Sequence, residues 1–253
     1  MTLAAVSTAI AQDDVIQETI VDLAHTKAIR LAVPKSAISY VAGAIAQNFP
    51  VVLIAATERA AQDYANVLQD FVPAQNIAVF PAWETLPHER LSPRSDTVAK
   101  RLATLYALKA PRGNPIVVAP IRAVIHRFIA DLAHTPMWTL EIGQEIALTD
   151  LATHLTSLSF ARTDLVEKRG EFAVRGGIVD LFLPLSNHPI RIDFFGDEIE
   201  DLSYFEVSDQ RTYAPVVGSV AIYPCREMLL TPEVKHRAIE VIDKYPAAAE
   251  MLE

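Results

Sequence analysis

A single cysteine, Cys225, stands among 253 residues. No intrachain disulfide can form, which points to a reducing, cytoplasmic setting. Cys225 itself reads as a small buried hydrophobe. Basic side chains are outnumbered, 22 Lys and Arg against 31 Asp and Glu, for a net charge of −9. That balance does not suit a module whose main work is gripping phosphates, because nonspecific nucleic-acid affinity comes from clustered cations. No apolar run approaches the roughly 20 residues that a membrane span requires. The opening stretch is mildly apolar, has no basic segment and runs into Asp13 and Asp14, so it is not read as a signal peptide.

Chemistry is also missing. A phosphate-binding loop needs glycines, so that backbone N–H groups can wrap the anion, then Lys and Ser or Thr. Where one would open the first helix of an α/β domain the chain has Leu31-Ala32-Val33-Pro34-Lys35-Ser36-Ala37. No glycine is present, and Pro34 removes a donor. Lys35-Ser36 is a faint echo of the motif, and no ATP binding is expected here. The histidines at 25, 88, 126, 134, 154, 188 and 236 are scattered and form no i, i+4 pair, and there is no cysteine pair. No metal site is expected. Nothing matches a serine or cysteine nucleophile motif. Carboxylate pairs such as Glu198 and Glu200 read as solvated charge. The expectation is no catalysis and no cofactor in this chain.

What the chain does have is rhythm. Its first half alternates helices and strands: a helix over 14–26, a strand over 28–33, a helix over 35–47, and a buried strand over 51–55. Thr57 can cap a helix over 58–71. A strand over 77–80 follows, then a proline-rich loop over 81–94. Ser95 caps a helix over 96–109, ahead of a buried strand over 115–119 and a helix over 122–132. This βαβ order implies a parallel sheet with helices on both faces. The loop has one tryptophan, Trp83, read as an anchor packed onto the sheet. It also has His88, Arg90 and Arg94, which leaves a weak DNA contact open.

After about residue 136 the pattern changes to a smaller α+β domain. A strand over 137–142 and a helix over 150–159 precede a run of short strands. These are broken at Gly176-Gly177, at 184–189 and at Gly196-Asp197. Within 190–195 the residues alternate: Ile190, Ile192 and Phe194 point one way, Arg191, Asp193 and Phe195 the other. If the first set faces a core, a large aromatic is left on the polar face beside an arginine. Aromatic and Arg side chains are the usual anchors of protein interfaces, although Phe195 packed under a loop would be the plainer reading. A strand over 217–224 follows. Thr231-Pro232-Glu233 then opens a last helix, with a cap, a proline at the first position and an acid in the first turn.

Three motifs carry a family resemblance: Arg169-Gly170-Glu171-Phe172-Ala173-Val174-Arg175-Gly176, Ile190-Arg191-Ile192-Asp193-Phe194-Phe195-Gly196-Asp197-Glu198-Ile199-Glu200, and Ser208-Asp209-Gln210-Arg211-Thr212. They resemble the small domain shared by the excision-repair subunit UvrB and the transcription-repair coupling factors. The Asp-Gln-Arg-Thr ending resembles the coupling factors in particular. So do the upstream Phe80-Pro81-Ala82-Trp83-Glu84-Thr85-Leu86-Pro87 and Ser92-Pro93-Arg94-Ser95-Asp96. The resemblance runs from about Ile29 to Glu253.

It implies an α/β fold: a parallel-sheet, helicase-like domain with a degenerate phosphate loop and an inserted small α+β domain, as in UvrB. The implied boundaries are 1–135 for the first part of the α/β domain, 136–215 for the small UvrA-binding domain, and 216–253 for a truncated return segment. The chain then reads as the N-terminal fragment of a larger ATP-driven DNA translocase. It would recruit UvrA to stalled RNA polymerase in transcription-coupled nucleotide excision repair by mimicking UvrB. ATP, Mg²⁺, DNA and RNA polymerase would belong to absent domains, and a C-terminal domain of the full protein would dock on the small one. Carried over residue by residue, the UvrA contacts fall on Arg175, Arg191 and Phe195. The runner-up is a UvrB-type DNA- or nucleotide-binding fragment. It would call for a glycine-rich loop and a tyrosine-rich hairpin, and 81–94 holds no tyrosine.

Overall fold

The computed structural model describes residues 4–86, 89, 91–109, 111, 113–128, 137–229 and 231–244. Its helices are α1 (Ala4–Ala11), α2 (Asp14–Leu23), α3 (Ile38–Ile45), α4 (Glu58–Gln69), α5 (Ser95–Lys109), α6 (Ile121–Ile125), α7 (Leu148–Ser157) and α8 (Pro232–Val241). Its strands are β1 (Val51–Ala55), β2 (Ile77–Val79), β3 (Ile116–Pro120), β4 (Trp138–Leu140), β5 (Ala161–Arg162), β6 (Glu171–Arg175), β7 (Ile178–Leu181), β8 (Ile190–Phe195), β9 (Glu198–Phe205), β10 (Thr212–Pro215) and β11 (Val220–Ile222). The chain divides into two compact units, residues 1–90 with 100–134, and residues 91–99 with 135–253. Among the described residues no helix is long and apolar enough to cross a membrane.

The first unit holds a parallel sheet in the order β1-β3-β2. The all-apolar run of β3 is buried at every position because it is the central strand. Ile116 and Val118 face Ala61, Ala65 and Leu68 of α4. Val117 and Ala119 face Ala123 of α6 with Phe80 and Ala82. Helices thus cover both faces of the central strand, as its residue pattern requires. Thr57 accepts a hydrogen bond from Ala60 N–H at 3.1 Å and caps α4.

Trp83 is held in the loop after β2. Its ring lies 5.5 Å from that of His126. The buried guanidinium of Arg101 stacks 4.2 Å from Phe80 and 5.8 Å from Trp83, and its Nη1–H donates to the Pro81 carbonyl at 2.9 Å. Pro87, His88 and Arg90 of that loop lie outside the described residues.

Three local expectations are corrected. The strand expected over 28–33 does not form. Arg30, Ala32 and Val33 are exposed, and β1 pairs only with β3 among the described strands. An extended segment with no neighbour cannot place its N–H and C=O groups in a ladder. Strand β1 is not buried but lies at the sheet edge, leaving Val52 and Ile54 exposed. Ser95 does not precede α5 but begins it, and its hydroxyl donates to the Arg169 carbonyl at 3.1 Å. The helix expected over 122–132 is described only as α6; residues 129–132 lie outside the described set.

In the second unit six strands form one sheet in the order β10-β9-β8-β7-β6-β5. Pairing is antiparallel from β10 to β6 and parallel between β6 and β5. Tight turns join β6 to β7 at Gly176-Gly177 and β8 to β9 at Gly196-Asp197. Gly176 and Gly196 take φ of 59° and 63°, which favours glycine. One sheet face is buried under α7. Leu151 and Leu155 pack there with Phe172, Val179, Leu181, Ile190, Ile192, Ile199 and Leu202.

The described part of the expected return segment also belongs to this unit. Strand β11 pairs with β4, matching Val220 to Leu140 and Ile222 to Trp138. Val216, Val220, Ile222 and Cys225 join the same core. Their apolar side chains are buried there. Burial pushes the Cys225 thiol up to about 12, which suits an inert packing group.

Candidate protein-interaction face

The other face of the six-stranded sheet is built by alternation. In β8, Ile190 and Ile192 are buried in the α7 core and Phe194 packs against it. Arg191, Asp193 and Phe195 are therefore turned the opposite way. Cross-strand register then selects their neighbours. Arg191 stands opposite Asp180 of β7, and Asp180 opposite Ala173 of β6. Two residues along β6 from Ala173 is Arg175, on the same face. Strand β6 is not adjacent to β8, and the two arginines meet through the strand between them.

Asp180 is the meeting point, at 1% exposure. Arg191 Nε–H donates to its Oδ1 at 2.7 Å and Nη2–H to its Oδ2 at 3.0 Å, a bidentate fork. Arg175 Nη2–H donates to the same Oδ2. Arg191 also gives Nη1–H to the Gln210 carbonyl at 3.2 Å and lies 5.0 Å from the Phe205 ring. The hydrogen bond to Asp180 raises the Arg191 pKa above its ordinary value, against the opposing effect of burial.

The three side chains singled out by the sequence differ in access. Arg191 shows 18% of its side chain to solvent, Arg175 47%, and the whole of Phe195 is 76% exposed. Phe195 ends β8 beside the Gly196-Asp197 turn and stands opposite Glu198. A rim of acid lies alongside. Asp193 stands opposite Asp201, and burial raises the Asp193 pKa while Arg191 opposes the rise. A solvated aromatic, a half-exposed guanidinium and flanking carboxylates thus lie on this face, and aromatic and Arg groups are the kinds that dominate interface energetics.

Asp180 escaped the sequence reading. Its signal was present: one carboxylate inside Ile178-Val179-Asp180-Leu181-Phe182. An acid is rarely buried without a paired cation. Which cation it meets depends on register, which no short motif displays. Elsewhere, Lys35–Ala37 forms a short 3₁₀ turn entered through Pro34. Among the described residues no group of His, Cys, Asp and Glu could hold a metal ion.

Residues 138–228 match the UvrB interaction domain family. A transcription-repair-coupling factor of Mycobacterium bovis is 40% identical over 227 residues, covering 87% of this chain and 18% of that protein. That of Myxococcus xanthus is 35% identical over 197 residues, covering 75% and 16%. That of Escherichia coli is 34% identical over 179 residues, covering 70% and 15%. The chain spans less than a fifth of the length of these relatives, at 18%, 16% and 15%. Residues 138–228 thus contribute a UvrB interaction domain, and the chain belongs to the transcription-repair coupling factor family as its UvrB-homology module.

Proposed function

We propose that this chain recruits UvrA through the β6–β8 face, using Arg175, Arg191 and Phe195, and so imitates the surface by which UvrB meets UvrA. The observation that carries the reading is Phe195. It is a large aromatic at 76% exposure on a strand whose opposite face is core, and it lies four residues along that strand from Arg191, on the same face. Leaving such a ring in water is unfavourable unless a partner covers it.

The second unit would be the UvrA-binding domain. The first would be the helicase-like part, with its phosphate loop degenerate. The role of the chain is then interaction, with no nucleotide, metal or catalysis of its own. In a longer protein, ATP-driven translocation and contact with DNA and RNA polymerase would fall to other domains. A C-terminal domain would cover the same face at rest.

The direct test is titration of the 253-residue chain with purified UvrA by calorimetry, in physiological salt. A 1:1 complex with at most micromolar Kd is expected. No heat and no co-migration on gel filtration at tens of micromolar would overturn the reading.

A further inference from the structure

We infer that Asp180 is a positioning residue for the interaction face, holding the Arg175 and Arg191 guanidinium forks in the orientation that the partner reads. This rests on the reading of that face as the UvrA-binding surface. It adds a residue that touches no partner yet sets how tightly one binds.

The argument starts from cost. A carboxylate at 1% exposure has given up its hydration, and a buried ion group is a poor way to stabilise a sheet, since apolar side chains of similar volume serve as well or better. Strand β7 is otherwise apolar here, with Val179 and Leu181 buried on the opposite face. Asp180 therefore has a use other than packing.

Geometry supplies one. Three N–H groups from two arginines, on the strands either side of β7, converge on its two oxygens. Two guanidinium groups brought this close repel one another, and one carboxylate between them leaves a net charge of about +1 rather than +2. Each long side chain would otherwise sample many rotamers. A side chain already held loses less entropy on binding. Arginine presents five N–H donors in a planar fork. Arg191 commits three of them to Asp180 and Gln210, which leaves two. Arg175, more exposed, commits one to Asp180.

The test uses the 253-residue chain with purified UvrA, read by calorimetry and thermal melting. The variants are Phe195→Ala, Asp180→Asn, Arg175→Ala, Arg175→Ala with Asp180→Asn, and Arg175→Lys. Asparagine keeps the shape of Asp180 but offers one acceptor oxygen and no charge. Asp180→Asn should weaken binding about tenfold while still melting cooperatively. The double variant should lose clearly less than the product of the two single losses, because both act through one fork. A loss of stability alone would not produce that coupling in a binding measurement.

If Phe195→Ala binds UvrA as well as wild type, the site reading falls and this inference with it. If Phe195→Ala weakens binding but a folded Asp180→Asn does not, only the inference falls. Should Asp180→Asn fail to melt cooperatively, Arg175→Lys decides. Lysine keeps the charge but not the fork. A loss of about tenfold supports positioning, and wild-type affinity overturns it.

Discussion

Phe194 and Phe195 are adjacent in sequence and opposite in role, and replacing each with alanine separates interface from core. Phe195 is 76% exposed. A phenylalanine ring covers about 150 Å² or more when buried. A partner that closes over most of that area gains about 3 kcal/mol at 25 cal/mol per Å². Phe195→Ala should therefore cost about 2–3 kcal/mol of binding, roughly 30- to 150-fold in Kd. It should barely touch folding, since exposed substitutions fall within about 0.5 kcal/mol. That is a change of about 3 °C or less in Tm for a domain of this size. Phe194 packs against the α7 core. Complete burial would put Phe→Ala at about 3–5 kcal/mol. Partial burial brings this to about 2–3 kcal/mol, or about 10 °C or more. Calorimetry with UvrA and a thermal melt on both variants give the comparison. If Phe195→Ala lowers Tm as far as Phe194→Ala, Phe195 is a core residue and the face has been misassigned.

Arg191→Ala should behave unlike Phe195→Ala. It leaves the buried Asp180 with Arg175 alone, and should cost about 2 kcal/mol or more of stability in urea unfolding; an unchanged midpoint would show that Asp180 is not held as described. The His154 ring packs 4.1 Å from the Trp138 ring, and burial lowers its pKa. The unfolded chain therefore takes up that proton first. Stability should be complete above the ordinary histidine value near 6.5 and fall as pH drops below it. Trp fluorescence melts from pH 7.5 to 5 should show a slope that His154→Gln flattens. Gly170 sits at φ of +88°, and an added Cβ would lie 3.2 Å from both Cys225 Sγ and Ser95 Oγ. Gly170→Ala should cost about 1–3 kcal/mol and lower the urea midpoint; a neutral result would mean that the turn relaxes freely.

The sequence alone determined whatever depends on near neighbours. The alternation over 190–195 decided which side chains of β8 face the core, because successive side chains of a strand point to opposite faces. Thr57 and Thr231 marked their helix starts, and both hydroxyls accept the expected N–H bonds. Gly176 and Gly196 marked turns because φ near +60° suits glycine. The all-apolar run of β3 marked a buried strand, and it is buried at every position; the equally apolar β1 is not. Only the tertiary structure decided what depends on pairing between distant residues. Among the described residues, strand order made β1 an edge and left 28–33 without a partner strand. Register matched β11 to β4 and drew residues 216–225 into the second core. Register also set Asp180 between Arg175 and Arg191, which lie 16 positions apart in the chain. A carboxylate in a strand shows in the sequence that it needs a cation; which cations reach it depends on which strands lie beside it.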